Sequence, residues 1–158
     1  MKRGMIVFLK LAIFVIGTLV LALSIFWLPW VAERSAEMHP EYAYLRFPVL
    51  IGLYVTVIPF MAALYQGFKL LGYIQRKNAF SEAAVQSLNH IKYYAIAISI
   101  IYIFGALGLY SLNALHPGVL LMGIAIIFAS SVISLFSALL KELLNSALQL
   151  KLENDLTV

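Results

Sequence analysis

Four stretches of this chain, Leu11–Trp30, Val49–Phe68, Tyr93–Leu115 and Val119–Leu140, contain no Asp, Glu, Lys or Arg. A helix of about 20 apolar residues suffices to cross the hydrocarbon core of a bilayer, so each stretch has the length of one span. The remainder is too small to make a water-facing shell: of 158 residues, 63% are hydrophobic and 11% charged, against about 25% charged in a soluble domain. These features predict an all-α polytopic membrane protein, one domain over residues 1–158, with four transmembrane helices arranged as two hairpins. The expected helices cover about 5–31, 47–73, 82–115 and 118–152, the last ending in an amphipathic extension. The chain has no cysteine, which excludes disulfides, thiolate metal sites and cysteine nucleophiles.

The first apolar run competes with a cleavable signal peptide, which needs an apolar core of about 7–15 residues and then small residues. This run is longer and ends in Phe26, Trp27, Pro29 and Trp30, the aromatic belt of a retained helix. Val31–Arg46 reads as a loop, with Pro48 in the first turn of helix 2 and Pro59 kinking that helix further on. Lys69–Lys92 is the long polar interruption of the chain. Within it Gly72 and Gln75–Asn78 end helix 2, and Ser81 is suited to cap helix 3, with Glu82 in its first turn. His116-Pro117-Gly118 forms the next turn. Beyond Leu140 a stripe of Leu140, Leu143, Leu144, Ala147, Leu148 and Leu152 lies opposite Lys141, Glu142, Asn145 and Gln149, predicting a helix that continues out of the span.

Basic residues set the expected orientation. Lys2, Arg3 and Lys10, then Lys69, Arg76, Lys77 and Lys92, then Lys141 and Lys151 fall on one face, and only Arg34 and Arg46 on the other. The positive-inside rule therefore places both termini and the Lys69–Lys92 hinge in the cytoplasm. The net charge of +4 is spent on topology, so direct nucleic-acid binding is not expected.

Three constellations invite a chemical reading. Glu33, Glu37, His39 and Glu41, with His116 in the other outer loop, suggest a divalent-cation site, but such loose spacing fits a solvated loop better. Ser130, Ser131, Ser134 and Ser137 have no histidine within their span to act as a base, and small residues at helical spacing mark close helix packing. Thr56, Gln66, Ser99 and Asn113 with six tyrosines (Tyr54, Tyr65, Tyr93, Tyr94, Tyr102 and Tyr110) suggest a polar path. The spans lack the ionisable groups that coupled carriers use. No enzyme and no cofactor are expected. The segment from Phe60, FMAALYQGFKLLGYIQRKNAF, can also be laid over that from Phe136, FSALLKELLNSALQLKLENDL, so duplication of the hairpin stands beside chance likeness of Leu-rich helix ends. Small-residue faces on helices 3 and 4 fit either intrachain packing or a homo-oligomer.

In the hinge, basic residues precede a small residue, Phe80-Ser81, a helix start and the pair Leu88 and Ile91. With the MKRG start, the Trp-Pro-Trp end of helix 1 and the closing Glu153-Asn154-Asp155-Leu156-Thr157-Val158, the chain resembles a bacterial membrane-protein family, domain of unknown function 2975. The resemblance spans nearly the whole chain, and the hinge and tail are its specific parts. It implies a protein of the bacterial cytoplasmic membrane, often encoded beside a small helix-turn-helix DNA-binding regulator, and it supplies no catalytic residues. The expected function is regulatory or sensory, with the inner face contacting such a regulator or another membrane component. The candidate docking residues are Arg76, Lys77, Asn78, Phe80 and Ser81 in the hinge, and Asn154, Asp155 and Leu156 in the tail. Topology control, capping and interfacial anchoring account for the same residues without a partner. The alternative is a small transporter or channel for an apolar or zwitterionic compound.

Overall fold

The computed structural model describes residues 3–156. Lys2 of the basic face and Thr157 and Val158 of the closing motif lie outside the described residues. Five α-helices follow one another: α1 (Arg3–Ala22), α2 (Leu28–Met38), α3 (Arg46–Gln75), α4 (Glu82–Ser111) and α5 (Pro117–Leu156). A π-turn, Leu23–Trp27, joins α1 to α2, and a 3-10 turn, Pro40–Leu45, leads into α3. No strand occurs among the described residues. By length and composition the chain has four candidate spans, Arg3–Met38, Pro40–Gln75, Glu82–Ser111 and Pro117–Leu156.

The first helix outruns its expected end. Pro29 lacks the N–H that a helix interior needs, and its ring crowds the carbonyl one turn earlier. The π-turn resolves this conflict: Leu28 N–H reaches back five residues to the Leu23 carbonyl, and Pro29 takes the first turn of α2, where a missing donor is harmless. The helix therefore continues to Met38, and most of the expected Val31–Arg46 loop is helical. It stops at His39 (φ −130°, ψ 75°), because the following Pro40 excludes the helical region for the residue before it. Pro59 sits inside α3 without interrupting it.

At the far end of α4 the chain leaves the helix at Ser111, short of the expected 115. Asn113 adopts φ 56° there; its N–H bonds to Tyr110 O, and Ala114 N–H bonds to Leu109 O. This pair of bonds is a Schellman closure, and asparagine tolerates the left-handed conformation it demands. His116 then caps α5, its Nδ1 accepting from Gly118 N–H at 3.0 Å, with Pro117 as the first helical residue. Tyr42 ties this end together by donating to the Asn113 carbonyl at 2.8 Å.

The principal helix contacts run between neighbours along the chain: α1 against α3, α3 against α4, and α4 against α5. Small residues form these seams, as expected where lipid removes the hydrophobic drive between helices and close packing must supply it. Gly17 of α1 accommodates Met61 and Leu64, and Gly67 of α3 accommodates Ile13. Along α4, Ala84, Leu88, Ala95 and Ile98 are buried, with Ile91 and Tyr102 half-buried in the same series. On α5, Ser130, Ser134 and Ser137 are buried, and Lys141, Leu144 and Leu148 continue the stripe half-buried. Both series step by four and three in alternation, the repeat that keeps a seam facing a neighbour crossing at about 20°.

Meanwhile large apolar side chains point outward: Phe104, Leu121, Phe128 and Leu135 are all at least 70% exposed. In water such a surface would aggregate; around a bilayer it faces acyl chains. Of the buried polar groups, Ser24, Thr56 and Ser99 donate to carbonyls of their own helices, while Gln66 Oε1 has no partner.

Candidate functional site

The α3–α4 turn is built by two interlocked caps. α3 ends in the same Schellman closure as α4: Lys77 N–H bonds to Ile74 O at 3.1 Å and Asn78 N–H to Tyr73 O at 2.7 Å. The left-handed residue this requires is Lys77, with φ 57°. Ser81 then opens α4. Its Oγ accepts from Ala84 N–H at 3.2 Å and donates to the Asn78 carbonyl at 2.8 Å, so one hydroxyl joins the end of the turn to the first turn of the next helix. Glu82 adds a carboxylate to that first turn, where the helix dipole favours it. Ser81→Ala is expected to cost about 1 kcal/mol of stability, and Ser81→Asp to retain most of it, as read from thermal melts of the detergent-solubilised chain.

The candidate docking residues divide into those the turn uses and those it leaves available. Arg76 is exposed but engaged along its own helix: its Nε contacts the Gly72 carbonyl at 3.4 Å and its guanidinium lies 5.8 Å from the Tyr73 ring. Lys77 and Asn78 are exposed at the tip, and Phe80 is 52% exposed. A solvent-facing phenylalanine beside two basic residues suits an anchor, or equally a headgroup-level aromatic.

The tail lies elsewhere. Lys141 Nζ donates to Asn89 Oδ1 at 2.9 Å, which sets the register of α5 against α4. Burial on α5 ends at Leu148, and every residue from Gln149 to Leu156 is exposed. At 1.5 Å per residue this last segment extends about 12 Å beyond Leu148. Asn154, Asp155 and Leu156 are in the final turn of α5, past the expected end at 152, with Leu156 86% exposed. By this register the tail runs on beyond the first turn of α4, offset along the helix axis from the turn that holds Lys77 and Phe80. Hinge and tail thus form two patches at one end of the molecule.

The expected extension stripe is also resorted: α5 half-buries Lys141, Leu144, Ala147 and Leu148, whereas Leu140, Leu143 and Leu152 are exposed. The acidic residues Glu33, Glu37 and Glu41 spread over α2 and the 3-10 turn, and no group of three or more His, Asp or Glu side chains among the described residues is placed to hold a metal ion. Two features escaped the sequence reading. One is the left-handed Lys77, for which no glycine or asparagine gave a signal. The other is the bond from Lys10 Nζ to Gln75 Oε1 at 2.7 Å, with Lys10 also 5.2 Å from the Phe68 ring, which ties α1 to the end of α3.

Four long apolar helices in chain-order packing, small residues at the seams and lipid-facing Phe and Leu outside define a multi-pass α-helical membrane protein. The chain belongs to the family described as protein of unknown function DUF2975, whose model matches residues 30–158. It is similar to the uncharacterized membrane protein YoaS of Bacillus subtilis (strain 168), at 49% identity over 160 residues covering the whole of both chains. No solved structure matches it.

Proposed function

We propose that this chain is a regulatory or sensory protein of the bacterial cytoplasmic membrane. In this reading both termini and the α3–α4 turn are cytoplasmic, and the inner face docks a small helix-turn-helix regulator or another membrane component. The supporting observation is mechanical. The exposed tip Lys77–Phe80 is joined through Ser81 to the first turn of α4, and α4 packs on both α3 and α5. A partner bearing on the tip would therefore load the helix that contacts both neighbours. What supports this orientation is the positive-inside rule, with Arg3, Lys10, Lys69, Arg76, Lys77, Lys92, Lys141 and Lys151 gathering towards the end of the molecule that carries this turn. The reading assigns no catalytic step, and Ser130, Ser134 and Ser137 serve the α4–α5 seam.

Co-purification with a neighbouring regulator tests the docking. Binding should weaken on Arg76→Ala, Phe80→Ala or removal of the last five residues. Retention by the chain carrying all three changes would end the proposal. A transporter for an apolar or zwitterionic compound is the rival, favoured by the unpartnered acceptor of Gln66 within a span. Substrate-dependent flux in proteoliposomes would support it and count against a purely regulatory role.

A further inference from the structure

A crevice of about 430 Å³ opens between the start of α1 and the end of α3, lined by Arg3, Ile6, Ile74, Gln75 and Lys77. Its chemistry is two-sided. Ile6 is buried and Ile74 half-buried, giving an apolar floor, while Arg3 supplies a cation from α1 and Lys77 another from the turn that follows α3. Apart from Lys151 on the exposed tail, the other described basic groups near this end already have partners: Lys10 is bound to Gln75, Arg76 lies along Gly72 and Tyr73, Lys69 and Lys92 lie beside Tyr65 and Tyr93, and Lys141 is bound to Asn89. By contrast, among the described residues no side chain pairs with the guanidinium of Arg3 or the ammonium of Lys77, and no carboxylate lines the crevice. The crevice lies where the apolar spans end, so an occupant would meet charge above and hydrocarbon below.

We propose that this crevice holds the headgroup phosphate of an anionic phospholipid. The phosphodiester would lie between Arg3 and Lys77, with Gln75, oriented by Lys10, at its edge, and Ile6 and Ile74 would meet the start of the acyl chains. Basic pockets between membrane helices recognise anionic headgroups in this way, and an arginine and a lysine offer complementary donors to phosphate oxygens. The site faces α1 and stands apart from the docking proposal, sharing only Lys77 with it. Lipid seated here would brace α1 against α3 beside the Lys10–Gln75 bond.

The test is lipid retention by the full-length chain in detergent, measured by native mass spectrometry with phosphatidylglycerol and phosphatidylcholine supplied equally. Phosphatidylglycerol should be retained preferentially, and each basic side chain should contribute roughly fivefold. Arg3→Gln combined with Lys77→Gly should bring retention down to the phosphatidylcholine level. Glycine keeps the left-handed turn, so this pair removes charge without unfolding the cap. Arg3→Lys with Lys77→Arg should keep the preference. Equal retention of the two lipids by the unaltered chain would overturn the proposal, as would full preference in the Arg3→Gln, Lys77→Gly chain. Displacement of phosphatidylglycerol by millimolar inorganic phosphate would reassign the crevice to a free anion and overturn the lipid.

Discussion

Ala84→Leu is expected to destabilise the protein by about 1–3 kcal/mol, visible as a lower thermal midpoint in detergent. Ala84 is 0% exposed and lies in the first turn of α4, with its N–H held by Ser81 Oγ. It begins the seam that continues through Leu88, Ala95 and Ile98. A leucine there has no unfilled volume to enter, so either α4 moves from its neighbours or the Ser81 cap opens. Gln86→Leu, exposed on the same helix, should change the midpoint little, since substitutions away from packed positions usually fall within about 0.5 kcal/mol. Equal effects at the two positions would mean that the Ala84 seam is not tightly packed.

Lys77 provides a second large effect because its sign depends on the residue introduced. At φ 57° a side chain crowds the following carbonyl, a strain of roughly 1–2 kcal/mol per residue that glycine escapes. Lys77→Gly should therefore stabilise the isolated chain by up to about 1 kcal/mol. Lys77→Val should destabilise it by a comparable or larger amount, because a β-branched residue fits this region worst. The pair is read from unfolding midpoints under one detergent condition. A shift of the same sign and size for both variants would contradict the Schellman closure. That lysine occupies a position where glycine is the usual choice is consistent with selection for charge at this tip, as both the docking and the lipid proposals require.

The spans were legible because charge is excluded from hydrocarbon over about 20 residues, and composition alone records that exclusion. The caps were partly legible. Ser81 announced itself through residue type and Pro48 through its place in the first turn of α3, whereas Pro117, read as part of a turn, opens α5. What sequence did not reveal were conformations that several residues set together. Pro29 looks like a terminator, yet a π-turn before it lets the helix run on to Met38. The Val31–Arg46 segment looks polar enough for a loop, but most of its backbone is helical until Pro40 constrains His39. On α5 the small-residue spacing did announce the packed Ser130, Ser134 and Ser137, but beyond Leu140 hydrophobicity drew attention to the leucines, of which Leu140, Leu143 and Leu152 are exposed while Lys141 continues the seam, because lipid already satisfies Leu. The segment matched to the end of α3 is likewise helical through Leu156 in α5, while α3 stops at Gln75. The charged crevice needed Arg3 and Lys77, far apart in sequence, to be brought together by the α1–α3 seam.

Membrane placement with the α3–α4 turn inside the cell underlies both proposals, and the absence of cysteine makes it directly measurable. Ser35→Cys in α2 and Asn78→Cys in the turn introduce single exposed thiols towards opposite ends of the molecule. In intact cells a membrane-impermeant maleimide should label position 35 and spare position 78, and permeabilisation should render both reactive. Labelling of position 78 in intact cells, or of both positions from one side, would contradict the orientation and the cytoplasmic docking built on it.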